Sequence, residues 1–297
     1  VDGDTHPSIG ETSTTERHAV LDDALVQLLE LLNTNASPVR PLTCVQPAIS
    51  FLESLPVIGR DHLRAAIIRE PMAIALLLRR ANTRYGDPIS SGLTDIDQAI
   101  DLVGEKGVLD LLGQLASVEN QQWRWDRAPQ HLRKIWTNTV FTALAATSLA
   151  KRRGDIDPAL AFSAAALHNI GEPLIIQHLS AHMAKVKQLT NGLSAVGHAM
   201  AASHQTIGAA ALRAWNIPDR LVQVARLHHG HSPDPLSSLV LVAWQAALHY
   251  GYVYLGAHPD PAALERGLNR LQLSTTCLND VTREILGDLN SIMTRGT

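Results

Sequence analysis

The chain has 297 residues, a formal net charge of −3, 45% hydrophobic and 18% charged residues. That composition excludes disordered and fibrous classes, allows one large domain or two modest ones, and gives no reason to expect a polyanion as the main partner. The two cysteines, Cys44 and Cys277, lie far apart in sequence. They exclude a disulfide framework and a Cys-based zinc site, which makes a reducing compartment the expectation. The opening residues Val1 to Thr5 lack the basic start and apolar core of a signal peptide. The most apolar stretch, Ala159 to Ile176, is interrupted by His168, Asn169, Glu172 and Pro173, which is wrong for a membrane span. A cytoplasmic protein with no membrane partner is expected.

Residues 1–16 are polar and without periodicity, and read as a mobile tail. A helix is expected from Ala19 to Leu32, with Leu21, Ala24, Leu25, Leu28, Leu29 and Leu32 on one face, ended by Pro38 and Pro41. Further helices follow at Gln46–Glu53, Arg60–Ile68, Met72–Asn82 and Asp95–Val103. The last of these is expected to be capped by Thr94 and stopped near Gly104, after a turn at Tyr85 to Pro88. Trp123 to Pro129 reads as a linker, with Trp123 and Trp125 packing between subdomains. His131–Ala150 repeats its apolar residues on one face, and Asp157-Pro158 is a cap and first-turn proline for a helix over Ala159–Ile170. That helix is apolar nearly all round, so it should be the centre of the bundle, closed by Gly171 and Pro173. His198–Trp215, Pro218–His229 and Leu236–Tyr250 are three more helices. Pro261–Met293 holds one or two others around a turn near Ser274. No alternating β-branched run supports a sheet, so the class is all-α.

Among the 14 histidines, His6, His18 and His258 sit in tail or turn contexts. His168, His204, His228 and His229 each lie on or at the end of a helix in the second half. His204, Gly208, Leu212 and Trp215 share one helical stripe, which aims His204 into the bundle beside the end of the 159–170 helix. The short basic runs Arg79, Arg80, Arg84 and Lys151-Arg152-Arg153 read as cations facing helix C-termini and solvent. No Gly-rich loop or aromatic ladder accompanies them, so nucleic acid is not an expected partner. There is no nucleophile elbow, P-loop, Rossmann fingerprint or CxxC.

Several blocks carry a resemblance. Ala165-Ala166-Leu167-His168-Asn169-Ile170-Gly171-Glu172 resembles the LLHDIGK signature of the HD superfamily. His204 to Pro218, with Gly208, Leu212 and Trp215 in place, is similar to the H-x-x-x-G-x-x-L-x-x-W-x-L-P segment of HDOD domains. The blocks Arg69-Glu70-Pro71 to Ala81-Asn82, Tyr85-Gly86 and Thr94 to Gly104 resemble the upstream half of that family, and His228-His229 resembles its HH pair. The likeness spans residues 40–255, in family order. It implies two packed helical subdomains, an N-terminal one over 17–125 and a degenerate HD-like bundle over 126–255, with a C-terminal helical extension over 256–297.

In HD phosphohydrolases a first His, a His-Asp pair and a late Asp, often with further His residues, hold one or two metal ions. Here those positions carry Asn138, His168-Asn169 and Trp244. Hydrolytic metal sites need anionic ligands to offset the cation, and Asn and Trp supply none. The resemblance therefore implies a remnant pocket of Asn138, His168, Asn169, His204, His228, His229 and Trp244, with no catalytic residue, metal or other cofactor. Were an ion such as Zn²⁺ or Ni²⁺ held at all, His168, His204, His228 and His229 would hold it. The function expected is that of a bacterial signalling or regulatory protein. It would act by binding a protein partner, or an unidentified small molecule, at the groove between the subdomains. The alternative is a metal-dependent phosphohydrolase with an unorthodox His-rich site.

Overall fold

Four helices open in the same way, on an acidic residue followed by proline. The carboxylate accepts a hydrogen bond from a first-turn N–H while the proline occupies a position whose own N–H would go unused. In the computed structural model, which describes residues 14–34, 45–83, 92–119, 128–187, 192–229 and 232–294, these are α4, α7, α11 and α12. Glu70 accepts from Met72 N at 3.1 Å and opens α4 (Pro71–Asn82). Asp157 accepts from Ala159 N at 2.9 Å and opens α7 (Pro158–Leu167). Asp234 accepts from Ser237 N at 2.9 Å and opens α11 (Pro235–His249). Asp260 accepts from Ala263 N at 3.0 Å and opens α12 (Pro261–Leu271). The remaining helices are α1 (Thr14–Thr34), α2 (Gln46–Glu53), α3 (Arg60–Ile67), α5 (Ile96–Glu119), α6 (Ala128–Arg153), α8 (Gly171–Lys187), α9 (Gly192–Ala214), α10 (Asp219–Leu227) and α13 (Thr275–Thr294). No strand occurs among the described residues, so the chain is all-α as its periodicity requires.

Several expected boundaries shift. Helix α1 starts at Thr14, inside the expected tail, and residues 1–13 lie outside the described set, as do Cys44, Tyr85 to Pro88, Arg84, Trp123 and Trp125. The cap of α5 is Asp95, whose Oδ1 accepts from Asp97 N at 2.7 Å; Thr94 instead presents its carbonyl to Ser163 Oγ. Gly104 does break α5, at φ 76°, but the chain resumes as helix to Glu119. The largest correction concerns Gly171 and Pro173. They do not close a helix into loop; they begin α8.

The centre is α6, packed against α7, α8, α11 and α13, with α12 on α11. Helix α7 is buried from Ala161 to Leu167 and α11 from Leu236 to Leu248. Pro158–Leu179, the run among the described residues long and apolar enough to cross a membrane, is 89% buried inside this bundle, which accounts for its composition as core. Helices α2 to α5 form the first layer and join the second where α4 meets α7, with the Arg64 guanidinium over the Phe162 ring. Helix α1 does not belong to that first layer. It packs its Leu21, Leu25, Leu28 and Leu32 face on α9 and α8.

One contact sets the spacing in the second layer. A Cβ at Gly171 would stand 2.0 Å from the His204 carbonyl oxygen and 2.8 Å from Gly208 N. The start of α8 thus lies directly on the backbone of α9, and nothing larger than hydrogen fits there. Gly171→Ala should destabilise the fold by about 3 kcal/mol, the upper end of the overpacking range. Gly113→Ala, on the open face of α5 where an added methyl meets nothing within 4 Å, should stabilise it by about 0.5–1 kcal/mol. Urea unfolding of both variants checks the pair.

Candidate functional site

Three helix ends, the middles of two further helices and one strap converge beside that glycine contact. The turn between α7 and α8 carries His168 and Asn169, and the first turn of α8 carries Glu172. Helix α9 contributes His204, the end of α10 gives His228 and His229, and α11 gives Trp244. The strap is the segment 252–257 after α11. It is held on α9 because Gly256, at φ +83°, places its Cα where a Cβ would come within 2.6 Å of the Gly197 carbonyl.

The histidines do come together. His204 Nε2 lies 2.9 Å from His229 Nε2 and 3.4 Å from His228 Nε2. His168 stands edge-on to His228 with ring centroids 4.9 Å apart. Three Nδ1 atoms are tied to backbone oxygens: His168 to Ala165 O at 2.6 Å, His204 to Met200 O at 2.6 Å and His228 to Ala225 O at 3.0 Å. A carbonyl can only accept, so Nδ1 carries the hydrogen in all three, and each Nε2 presents a lone pair. His168, His204 and His228 are buried, while His229 reaches the surface. Burial is the first cause that holds the rings neutral, with mutual repulsion adding to it for His168, His228 and His229. His168 and His229 are pushed down to about 3, His204 to about 4, and His228 well below the usual imidazole value.

The three positions where a phosphohydrolase would differ all face the strap. Asn138 Nδ2 donates to Tyr252 O at 2.8 Å, Asn169 Nδ2 donates to the Tyr254 hydroxyl at 2.7 Å, and Trp244 Nε1 donates to the same hydroxyl at 3.2 Å. With two donors taken, the hydroxyl hydrogen goes to the Glu172 carboxyl. Burial raises Glu172 well above the usual carboxylate range, so it is the neutral acid that sits there. Trp244 stands edge-on to His168 with ring centroids 6.4 Å apart. It packs edge-on against His229, centroids 4.2 Å apart, and forms one wall of a cavity of about 320 Å³ that Glu172, His204, His229, Asp260 and Arg266 also line.

This cavity lies within the second layer, between α8, α9, α11 and the strap, and not in the groove between subdomains. It also holds carboxyl groups, contrary to the expectation of a pocket stripped of acidic side chains. Glu172 was visible in sequence only as an interruption of an apolar run. An acid in such a run must be paired or neutral, and that was the available signal. Tyr254, Asp260 and Arg266 had no signal of their own. Three buried atoms here have no partner: His168 Nε2, Asn169 Oδ1 and Glu172 Oε2. Among the described basic residues, Arg152 pairs with Glu284 at 3.0 Å, and Arg153 binds Asp155 and the Leu271 carbonyl, away from the site. Arg80 donates to Gly107 O, and with Arg79 it lines a separate surface groove on the first layer.

Comparison with known proteins places the architecture. The HDOD domain family model matches residues 48–231. An uncharacterized protein of Treponema pallidum (strain Nichols) is 27% identical over 196 residues, which is 62% of this chain and 37% of that protein. The chain thus spans little more than a third of that relative's length. Among solved structures, the MmoQ response regulator from Methylococcus capsulatus str. Bath superposes with a TM-score of 0.64 at 17% identity, over 82% of this chain and 98% of that one. A virulence factor from Campylobacter jejuni subsp. jejuni does so with a TM-score of 0.58 at 16% identity, over 91% and 96%. At these identities the two structures speak to the fold.

Two predictions follow from the buried groups. Tyr254→Phe removes the acceptor of two buried N–H donors and the donor to Glu172, and should cost roughly 2–4 kcal/mol in urea unfolding. In the presence of a chelator, stability should rise with pH between 5 and 6. The unfolded chain takes up protons on His168, His204 and His228 below its ordinary imidazole value near 6.5, while the folded chain does not. Glu172 acts in the opposite sense, because above about 4.5 the unfolded carboxyl ionises and the folded one does not. The three buried rings less Glu172 give two protons, or ~2.7 kcal/mol per pH unit, and the exposed His229 adds in the same sense. His168→Asn should flatten the slope.

Proposed function

Because the chain belongs to the HDOD domain family, we propose that it is a bacterial, cytoplasmic signal-transduction protein that works by binding a protein partner and not by turnover. The response regulator of similar fold is consistent with that role. One observation carries the non-catalytic part: Asn138, Asn169 and Trp244 are all already bonded to the same strap, at Tyr252 O and the Tyr254 hydroxyl. A metal-dependent hydrolase needs anionic ligands there to balance the ion and lower the pKa of its water. In their place stand three neutral side chains, each donating a hydrogen bond to the strap.

Glu172 favours a second reading, an unorthodox phosphohydrolase, since it brings a carboxyl to the cavity that also holds His204 and His229. Its burial pushes that carboxyl toward the protonated form, against the opposing hydrogen bond from Tyr254, which weighs against it as a cation ligand. The two readings part on a direct assay. The chelator-treated full chain, resupplied with Mn²⁺, Fe²⁺, Ni²⁺ or Zn²⁺, is offered bis(p-nitrophenyl) phosphate, a cyclic dinucleotide and nucleoside monophosphates. No release above that of His168→Ala is expected. Metal-dependent release that His168→Ala abolishes would overturn the binding reading in favour of the hydrolase.

A further inference from the structure

The first layer carries a surface groove that is separate from the histidine pocket. Helix α4 lines it with Leu76, Arg79, Arg80 and Thr83, spaced three, one and three apart, which is one stripe of a 3.6-residue helix. Leu111 and Gln114 of α5 form the facing wall of a groove of about 420 Å³. Leu111 is buried and Leu76 half-buried, while Arg79, Thr83 and Gln114 are exposed. The lining therefore combines two leucines with two guanidinium groups.

A cation in the last turn of a helix ordinarily serves the unpaired carbonyls there. At the end of α4 neutral side chains do that work. Asn82 Nδ2 donates to Leu78 O at 2.9 Å, and Thr83 Oγ1 donates to Arg79 O at 2.8 Å. Arg80 reaches across to α5 instead, with Nη1 donating to Gly107 O at 2.6 Å and Nη2 to Gln114 Oε1 at 3.4 Å. Those bonds pin one guanidinium in the wall. Among the described residues the Arg79 guanidinium has no carboxylate partner, and no acidic side chain lines the groove. Two positive charges beside apolar side chains are left uncompensated, in a chain whose net charge is −3.

We infer that the groove between α4 and α5 is the docking surface for an acidic, amphipathic peptide segment of a partner protein. The segment lays its apolar side chains on Leu76 and Leu111, and its Asp or Glu carboxylates meet Arg79 and the outer edge of Arg80, whose planar forks match them. A groove between two packed helices is a common seat for such a segment. Charge complementarity selects the class of partner. Phosphate groups concentrate negative charge and are best met by backbone N–H groups at a helix N-terminus. This groove lies at the C-terminal turn of α4, where the carbonyls and the dipole are negative. No aromatic ring lines it to stack a base. Separated carboxylates on an apolar scaffold fit both the guanidinium groups and the leucines.

The inference rests on the protein-binding reading and gives it a surface. Its test uses a random peptide library displayed on phage and selected against the immobilised full chain. Enriched sequences are expected to combine apolar residues with an excess of Asp and Glu over Lys and Arg. Synthesised with a fluorophore and followed by anisotropy, they should bind one per chain, and more weakly as salt rises. Arg79→Glu should weaken them by at least about 10-fold, because it sets like charges across the contact. Gln114→Glu sets a carboxylate of the chain itself against Arg80 and should act in the same direction, which keeps the test decisive if the first variant fails to fold. Arg133→Glu, at an exposed cation of α6 in the second layer, should leave affinity unchanged. An absence of enriched sequences, sequences without the acidic excess, or peptides that bind both groove variants as tightly as the native chain overturn the inference. Tighter binding of a single-stranded oligonucleotide with the same dependence on Arg79 also overturns it, by assigning the groove to phosphates. Any of these leaves the protein-binding reading to other surfaces. Phosphodiester release in the turnover assay sinks that reading and leaves peptide binding by the groove in place.

Discussion

Where α8 begins, its backbone rests on that of α9 with no side chain between them, and the rest of the site depends on that approach. Gly171 cannot carry a Cβ because the His204 carbonyl already occupies the place, and Gly208 N lies just beyond. Had this residue been alanine, the turn bearing His168, Asn169 and Glu172 would stand off from the helix bearing His204. The imidazoles would then be separated by a layer of side chains or water. Packed interiors do not deform continuously to absorb such a methyl. The glycine thus acts through distance: its own φ is unremarkable, and its use is the room it leaves.

Once the turn is fixed, the polar groups it carries have to be satisfied in a volume that excludes water, and the strap does this. Tyr254 accepts from Asn169 and Trp244 and donates to Glu172, so a single hydroxyl closes three buried side chains into one network. Every member is neutral. A carboxylate at position 169 would have placed a negative charge against a buried tyrosine oxygen, with a raised Glu172 next to it, at a cost of several kcal/mol unless a cation came with it. The replacement of Asp by Asn is therefore compatible with a pocket that stays folded without an ion. That electrostatic independence is what separates this chain from a protein whose site holds together only when loaded.

The helices were legible because their apolar period and their Asp-Pro or Glu-Pro openings are local properties of the chain. Gln46–Glu53 and the four proline-capped helices need no tertiary information. The candidate site was legible to the extent that the family motifs are: His168, His204, His228 and His229 meet, and Asn138, Asn169 and Trp244 lie around the same strap. What could not be read was anything created by three-dimensional approach. Gly171 has the sequence signature of a helix stop, and only the proximity of α9 reveals it as a contact residue. Tyr254 and Asp260 follow α11 in a stretch with no periodicity. Their roles come from the strap's pinning at Gly197 and Gly256, which no spacing encodes. Helix α1 is similar: its apolar face demands a partner, but nothing in it says that the partner is α9 and not its sequence neighbours.

The net charge of the pocket also decides how it treats protons and metal ions. An imidazole cluster in water would buffer near neutrality and exchange protons freely. Burial here holds the rings in the neutral form far below that range, so protons compete poorly for their lone pairs at physiological pH. The same low dielectric that makes an isolated charge expensive strengthens its bonds to oriented dipoles. With burial holding Glu172 in its protonated form against the hydrogen bond from Tyr254, no full negative charge lies buried beside the rings to draw in hard, oxygen-seeking cations.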